Sequence, residues 1–274
     1  MIVFLYSDKK CEHQAISCIR SLTHKITEDV KIVYFTVGFD SEFQFKNLLK
    51  IRKELKPEYP SFHFYKADFS LEVMDLFPNE NYLFTDTDVL FSKRFNFDKV
   101  KHSESYPIAS FGPHEYPFIW KKFDNSEATV IFDETALMKY MNVPKRSQRY
   151  AWSCLYSFNS SCRDFFEEYV SICKNKYLMD RRENYFPYAD ETAFNICLWK
   201  RGAVKNYGFG FVNTNSLSTV IQVENGTSNL DFKNSVDAFG YSWEFVKDPN
   251  EVMIYHGFKE KEHMEETVNY LLKL

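Results

Sequence analysis

The stretch NYLFTDTDVLF, Asn81 to Phe91, runs from strand-forming apolar and aromatic residues into two carboxylates one residue apart. Burying an unpaired ionised carboxylate costs so much that the group neutralises or finds a cation. Asp86 and Asp88, at the downstream end of an apolar run, therefore point to a positive partner. The plain alternative is a solvated turn with an aspartate cap.

Upstream of this stretch the chain alternates. Ile2 to Tyr6 reads as a buried strand, and apolar positions 15, 16, 18, 19 and 22 recur at helical spacing, predicting a helix over Cys11 to Leu22. Lys31 to Val37 reads as a second strand. Phe45, Leu48, Leu49 and Ile51 predict a second helix over Ser41 to Leu55, stopped before Pro57. Phe62 to Tyr65 reads as a third strand, Ser70 to Phe77 as a short helix capped by Ser70, and Tyr82 to Phe84 as a fourth strand. Such βα alternation calls for a mostly parallel sheet covered on both faces. The acids then stand at the carboxyl end of a central strand, where open α/β sheets bind ligands.

Beyond residue 105 the alternation is lost. Strands are predicted over Pro107 to Gly112 and Ala128 to Phe132, with an aromatic, proline-containing loop His114 to Trp120 between them. Helical periodicity returns over Cys162 to Cys173 and over Asp190 to Arg201, the latter ending in basic residues before Gly202. A strand Val252 to Tyr255, the tetrapeptide His256-Gly-Phe-Lys259 and an amphipathic helix Glu260 to Leu272 complete the chain. There is no internal repeat, low-complexity tract or linker.

Composition narrows the function classes. At 274 residues and 45% hydrophobic content the chain can build one sizeable α/β core. The net charge is -4 with Lys and Arg dispersed, so the basic footprint of a nucleic-acid partner is missing. The opening MIVFLYSDKK has too short an apolar run for a signal-peptide core or a membrane span, which gives the expectation of a soluble, cytoplasmic protein without a transmembrane segment. The six cysteines, at irregular gaps and without a C-x-x-C pair, read as free packed thiols.

Asp86 and Asp88 offer hard oxygen ligands suited to Mg²⁺ or Mn²⁺, ions that also hold a diphosphate. His256 is the candidate third ligand, because it follows a strand as the acids do and Gly257 beside it allows close backbone approach. An imidazole beside two carboxylates favours Mn²⁺ over Mg²⁺. The alternative for His256 is a strand-end histidine bonded to a neighbouring carbonyl. Lys259 can supply a point charge to a phosphate. Asp190 and Glu191 open a helix, where the macrodipole favours acids and Asp190 can serve as N-cap; the functional alternative is a carboxylate set against a substrate hydroxyl.

A β/α amino-terminal half, an apolar strand leading into D-T-D, an acidic pair at a helix start and a late H-G-x-K together resemble a nucleotide-sugar-dependent glycosyltransferase of the GT-A type. The ending His256-Gly-Phe-Lys259 is similar to the H-G-x-x-K-like ending of the glycogenin and bacterial galactosyltransferase group, with one residue fewer before the lysine. The resemblance implies a single GT-A domain over residues 1–274: a Rossmann-like, mostly parallel central sheet flanked by helices in a nucleotide-binding half (1–105), and a mixed acceptor-side half with the C-terminal metal-ligand segment (106–274). It implies Mn²⁺ (or Mg²⁺) held by Asp86, Asp88 and His256, with Asp86 also near the ribose. The donor is then a nucleoside diphosphate sugar, UDP-sugar by preference, contacted by Tyr6, Ser7, Asp68, Asp86 and Lys259. Asp190 or Glu191 would face the sugar or acceptor, as a base in an inverting enzyme or as an orienting, charge-stabilising group in a retaining one, and the H-G-x-K ending leans toward retention. Trp152, Tyr156 and Asn159 fall in the segment lying under donor sugar and acceptor, and the acceptor itself would be a glycan, a lipid-linked sugar or a protein.

Two other readings compete. A haloacid-dehalogenase-like phosphatase also uses D-x-D after a strand, but on its first strand and with Thr or Val two residues after the second acid, where this chain has Leu90. A non-catalytic carbohydrate- or nucleotide-binding module would use the same metal site without turnover.

Overall fold

In chain order the elements are strand β1 (Ile2–Ser7), helix α1 (Glu12–Ser21), β2 (Lys31–Val37), β3 (Leu48–Lys53), α2 (Tyr65–Leu76), β4 (Asn81–Thr85) and β5 (Val89–Phe91). They continue as β6 (Ile108–Glu115), β7 (Arg149–Asn159), α3 (Arg163–Lys174), α4 (Ala189–Arg201), β8 (Gly210–Asn213), α5 (Leu217–Glu224), β9 (Val252–His256) and α6 (Lys261–Leu271). The structure is a computed structural model and describes residues 1–59, 62–100, 102, 108–115, 122–123, 129–130, 139, 142–143, 149–180, 189–201, 205–206, 210–214, 216–226, 250, 252–258 and 260–274. Two units assemble from separate stretches: Met1–Leu55, Tyr82–Lys101 and Tyr207–Leu274 form the first, Lys56–Asn81 and His102–Asn206 the second.

In the first unit β1 is the central strand. Its six residues are all buried, as a parallel strand covered on both faces requires. It pairs in parallel with β2 on one side (Tyr6 opposite Phe35) and with β4 on the other (Phe4 opposite Phe84), and β3 extends the sheet beyond β2. The expected α/β architecture, a mostly parallel sheet flanked by helices, is present. The predicted helix over Ser41 to Leu55 is not: Leu48–Lys53 is strand β3, in parallel register with β2 (Tyr34 opposite Lys50). Its apolar residues fit helical spacing, yet Asn47 takes a left-handed backbone (φ 58°) and fastens its amide to the carbonyls of Thr27 and Val30, both at 3.0 Å. Asn tolerates that conformation and a helix does not.

The acids lead into β5, a three-residue strand that the sequence reading did not identify. It pairs antiparallel with β9, which in turn pairs parallel with β8. Leu90, Val220, Val252, Tyr255, Phe258, Met264 and Val268 close a core beneath these strands, and the expected C-terminal strand and helix are both present.

In the second unit β7 runs antiparallel to β6, with Ser110 opposite Tyr156, and the aromatic faces of α3 and α4 pack with it. Ring centroids of Phe158 and Phe166 lie 4.3 Å apart and those of Tyr156 and Phe194 4.9 Å apart, distances at which aromatic pairs add to simple burial. The third strand predicted at Phe62 to Tyr65 is a 3-10 turn running into α2. Phe62, Tyr65 and Phe69 are in fact at helical spacing and their rings touch in succession. Ser70 is therefore not a cap but lies inside α2, buried, donating to the Lys66 carbonyl at 2.7 Å. The strand predicted from Pro107 appears as β6 and extends to Glu115; of the strand predicted at Ala128 to Phe132, Thr129–Val130 is described, and Gly202 lies outside the described residues. Among the described residues no helix is long and apolar enough to cross a membrane.

Candidate metal centre

The strand order β4-β1-β2-β3 reverses direction at β1: the chain steps outward to β3, then returns to place β4 on the other side of β1. The carboxyl ends of β1 and β4 flank that switch point, the place where an α/β sheet leaves a crevice for a ligand. Tyr6 and Ser7 end β1, and Asp86 follows β4 directly.

What brings His256 to the acids is the β5–β9 pairing. Val89, the residue after Asp88, stands opposite His256, with Leu90 opposite Tyr255 and Phe91 opposite Ile254. The turn after β9 then clasps the acid segment: the Gly257 and Phe258 amides both donate to the Asp88 carbonyl, at 3.2 and 3.4 Å. Gly257 has φ 95°, a backbone that side-chain-bearing residues rarely adopt, so this approach requires glycine. The Thr214 amide donates to the His256 carbonyl at 2.8 Å and secures the strand from its other edge.

As a result Asp86, Asp88 and His256 present ligand atoms that all lie within 4.8 Å of one another. His256 Nε2 is 3.6 Å from Asp88 Oδ1. The side chains of His256 and Asp88 are 18% and 27% exposed, open enough for water or a phosphate oxygen to complete a coordination shell. Behind the acids Thr85 Oγ1 donates to the Asp86 carbonyl at 3.0 Å and Cys18 is fully buried. Burial pushes the Cys18 thiol far up, so it is a neutral packing group. All six cysteines are free, as expected.

Of the other sequence-predicted residues, Tyr6 and Ser7 belong to the same unit. Tyr6 is buried with its ring 6.0 Å from that of Phe84, and the Ser7 hydroxyl bonds Tyr34 Oη at 2.5 Å. Asp68, Asp190 and Glu191 belong to the other unit. Asp68 is on α2, not at a strand end, where Lys56 Nζ donates to it at 2.5 Å and Lys174 Nζ stands at 3.6 Å. Asp190 is the second residue of α4 and does not cap it: its Oδ2 meets Lys66 Nζ at 2.9 Å and accepts from Ser153 Oγ at 3.2 Å. Glu191 accepts from the Ser153 amide at 3.0 Å. Tyr156 lies in the aromatic core, Asn159 caps a 3-10 turn by accepting from the Ser161 amide at 3.0 Å, and Trp152 is half-buried on β7. Lys259 lies outside the described residues.

Lys66 was not singled out from the sequence. A lone lysine between Tyr65 and Ala67 carries no signal until the fold sets it against Asp190.

No protein-family profile and no curated protein sequence matches the chain. Solved structures do. A bifunctional glycosyltransferase, WbbM, in its apo form superposes with a TM-score of 0.62 at 13% identity over 99% of this chain and 51% of WbbM, so the chain spans about half of WbbM's length. The galactosyltransferase LgtC in complex with donor and acceptor sugar analogues superposes with a TM-score of 0.56 at 12% identity, over 100% of this chain and 97% of LgtC. An active-site glutamine-to-glutamate variant of LgtC gives 0.53 at 12% identity, over 98% and 96%. At such identities the likeness is one of fold. The chain has the fold of the GT-A glycosyltransferases.

Proposed function

We propose that the chain is a metal-dependent glycosyltransferase that moves a sugar from a nucleoside diphosphate donor, a UDP-sugar, to an acceptor hydroxyl with retention of configuration. The observation that carries this reading is the convergence of Asp86, Asp88 and His256 beside the switch point of a GT-A fold. Two carboxylates and an imidazole fit a divalent cation, and the imidazole favours Mn²⁺ over Mg²⁺. When bound, the cation supplies Lewis acidity to the diphosphate as it departs.

The protein's own contribution is placement. Asp88 is held by its backbone through the Gly257 and Phe258 amides, so its carboxylate stays aimed while substrate comes and goes. Asp86 is assigned to the metal and the ribose side, and Tyr6 and Ser7, ending the neighbouring strand, to base and ribose. Lys259 is assigned to the diphosphate and Asp68 to a ribose or base contact. Asp190 already carries a lysine partner, which suits it to an orienting role; Glu191, which accepts from the Ser153 amide, is assigned to the sugar or acceptor hydroxyl. Retention is supported by the H-G-x-K ending, and the acceptor class is a glycan, a lipid-linked sugar or a protein. The position of D-x-D directly after β4, with three parallel strands before it, speaks against the phosphatase.

Calorimetric titration of UDP, GDP and CDP with and without Mn²⁺, on the wild type and Asp88→Ala, tests the reading. Metal-dependent binding of UDP, lost in the variant, is the expected result, and no binding of any diphosphate would sink it. Tight Mn²⁺-dependent UDP binding by a protein that never consumes UDP-sugar would leave the binding module in its place.

A further inference from the structure

We propose that Gln14 is a positioning residue that clasps together the two segments carrying the metal ligands and thereby sets the affinity of the site for its cation. This rests on the metal-site reading above. Gln14 lies in the first turn of α1. Its Nε2 donates to the Phe258 carbonyl at 2.9 Å, and its Oε1 accepts from Thr87 Oγ1 at 3.4 Å. The orientation of the amide follows from chemistry: a carbonyl can only accept, so the nitrogen must face Phe258 and the oxygen must face the threonine hydroxyl.

The two contacts fall on meaningful residues. Thr87 stands between Asp86 and Asp88, and Phe258 comes two residues after His256. One side chain from a third element thus touches both ligand-bearing segments at once. The far end of the same helix repeats the hold, where Ser21 Oγ accepts from the Phe91 amide at 3.0 Å. Helix α1 therefore grips the segment from Thr87 to Phe91 at both ends, and Gln14 extends the grip to Phe258, just after β9, while Arg20 Nη2 donates to Asn269 Oδ1 further along the C-terminal helix at 2.9 Å.

The task selects the residue type. Glutamate cannot donate to the Phe258 carbonyl, leucine can neither donate nor accept, and the clasp also needs a hydroxyl at position 87. Contacts of this kind orient first ligands, and their loss typically costs about 10- to 100-fold in metal affinity.

The test is a titration of Mn²⁺ into the full chain, followed by electron paramagnetic resonance of the free ion, with and without UDP. It is run on the wild type, Gln14→Leu, Thr87→Val, Thr87→Ser and Asp88→Ala. Amide hydrogen exchange is measured on the same proteins. Gln14→Leu and Thr87→Val are expected to raise the Mn²⁺ Kd about 10-fold, while Thr87→Ser, which keeps the hydroxyl, stays near the wild type. Exchange at Gly257 and Phe258 should quicken in the first two variants while β1 amides keep their protection, which a general loss of stability would not produce.

A wild-type Kd in Gln14→Leu, with Asp88→Ala unable to bind, would overturn the clasp and leave the metal site standing. If the wild type itself binds no Mn²⁺, the metal reading fails, and the role of Gln14 in setting affinity falls with it. The exchange data then still decide whether Gln14 holds the two segments together: unchanged protection in Gln14→Leu would remove the clasp as well. Should Gln14→Leu fail to fold, the Thr87→Val and Thr87→Ser pair decides by the same readouts.

Discussion

Asp88 in the first unit and Asp190 in the second are both aspartates at the start of a turn or helix, and each has a basic side chain within reach. Their settings differ in what that base is. The Asp190 side chain is 8% exposed and faces that of Lys66, 5% exposed, so the protein supplies a built-in partner and seals the pair from water. Asp88 is 27% exposed and shares its corner with Asp86 and a histidine. A lysine pair is complete as it stands, whereas two carboxylates around an imidazole are drawn together best by an ion from solution. The first arrangement fixes its carboxylate in place, and the second leaves room for an ion.

The sharpest way to break this contrast is to remove each acid's context in turn. Asp88→Ala should abolish Mn²⁺-dependent UDP binding and lower transfer by at least about 100-fold, the upper end of what even an outer contact to a metal site is worth. Its stability should change by no more than about 0.5 kcal/mol, because the Asp88 carbonyl that receives Gly257 and Phe258 survives and the lost side chain is partly exposed. Calorimetry and thermal unfolding on one preparation measure both. Lys66→Met should show the reverse pattern, with the damage in folding. Stranding a buried carboxylate costs about 3–5 kcal/mol, which urea unfolding would register directly. The double change Lys66→Met with Asp190→Leu should recover most of that loss, since apolar replacement of a whole buried pair is often neutral. A loss below about 1 kcal/mol in Lys66→Met would mean that the pair is not sealed as described.

A smaller effect is expected from His256→Gln. Removing the imidazole, itself a proposed ligand, should weaken Mn²⁺ binding by at least about 10-fold, the lower end of what an outer contact is worth, and narrow the preference for Mn²⁺ over Mg²⁺, because the nitrogen ligand is the feature that separates the two ions. Competition titration with Mg²⁺ reads the ratio. An unchanged ratio would take His256 out of the coordination set.

The contrast also shows which parts of the fold were legible in sequence. Asp86 and Asp88 stood out because an apolar run ends in charge, and His256 because a strand, an imidazole and a glycine follow in order. These are local signals. Strand β3 was misread because Leu48, Leu49 and Ile51 satisfy helical spacing as well as they satisfy an edge strand, and the arbiter is Asn47, whose left-handed backbone is fixed by carbonyls well upstream. Phe62 to Tyr65 failed in the opposite sense, its aromatic alternation hiding the 62, 65, 69 spacing of a helix face. Strand β5 is too short to announce itself by periodicity, although it is the element that carries Asp88 to His256. Lys66–Asp190 and the Gln14 contacts join residues far apart in the chain, and a single sequence holds no record of such pairs before the fold is known.

Glu168 separates the two ingredients that the Lys66–Asp190 pair combines, burial and a built-in cation. It lies in the same unit and has two cations, Lys200 and Arg201, the latter with Nη1 at 2.5 Å, yet those partners are 41% and 31% exposed. Burial pushes its carboxyl up, but the bonds from Lys200 and Arg201 outweigh it and hold the group below the usual glutamate value. A depressed folded-state pKa contributes stability that is present above the unfolded value of about 4.3 and is lost as pH falls through the lower folded value. Glu168→Gln should therefore cost less than about 1 kcal/mol at pH 7, because water screens the pair, and the difference from the wild type should be smaller at pH 3. Urea unfolding of both proteins at the two pH values measures this. A cost at pH 7 matching that of Lys66→Met would show that pairing alone sets the energy. A cost that persists unchanged in acid would assign it to packing of the side chain and not to its charge.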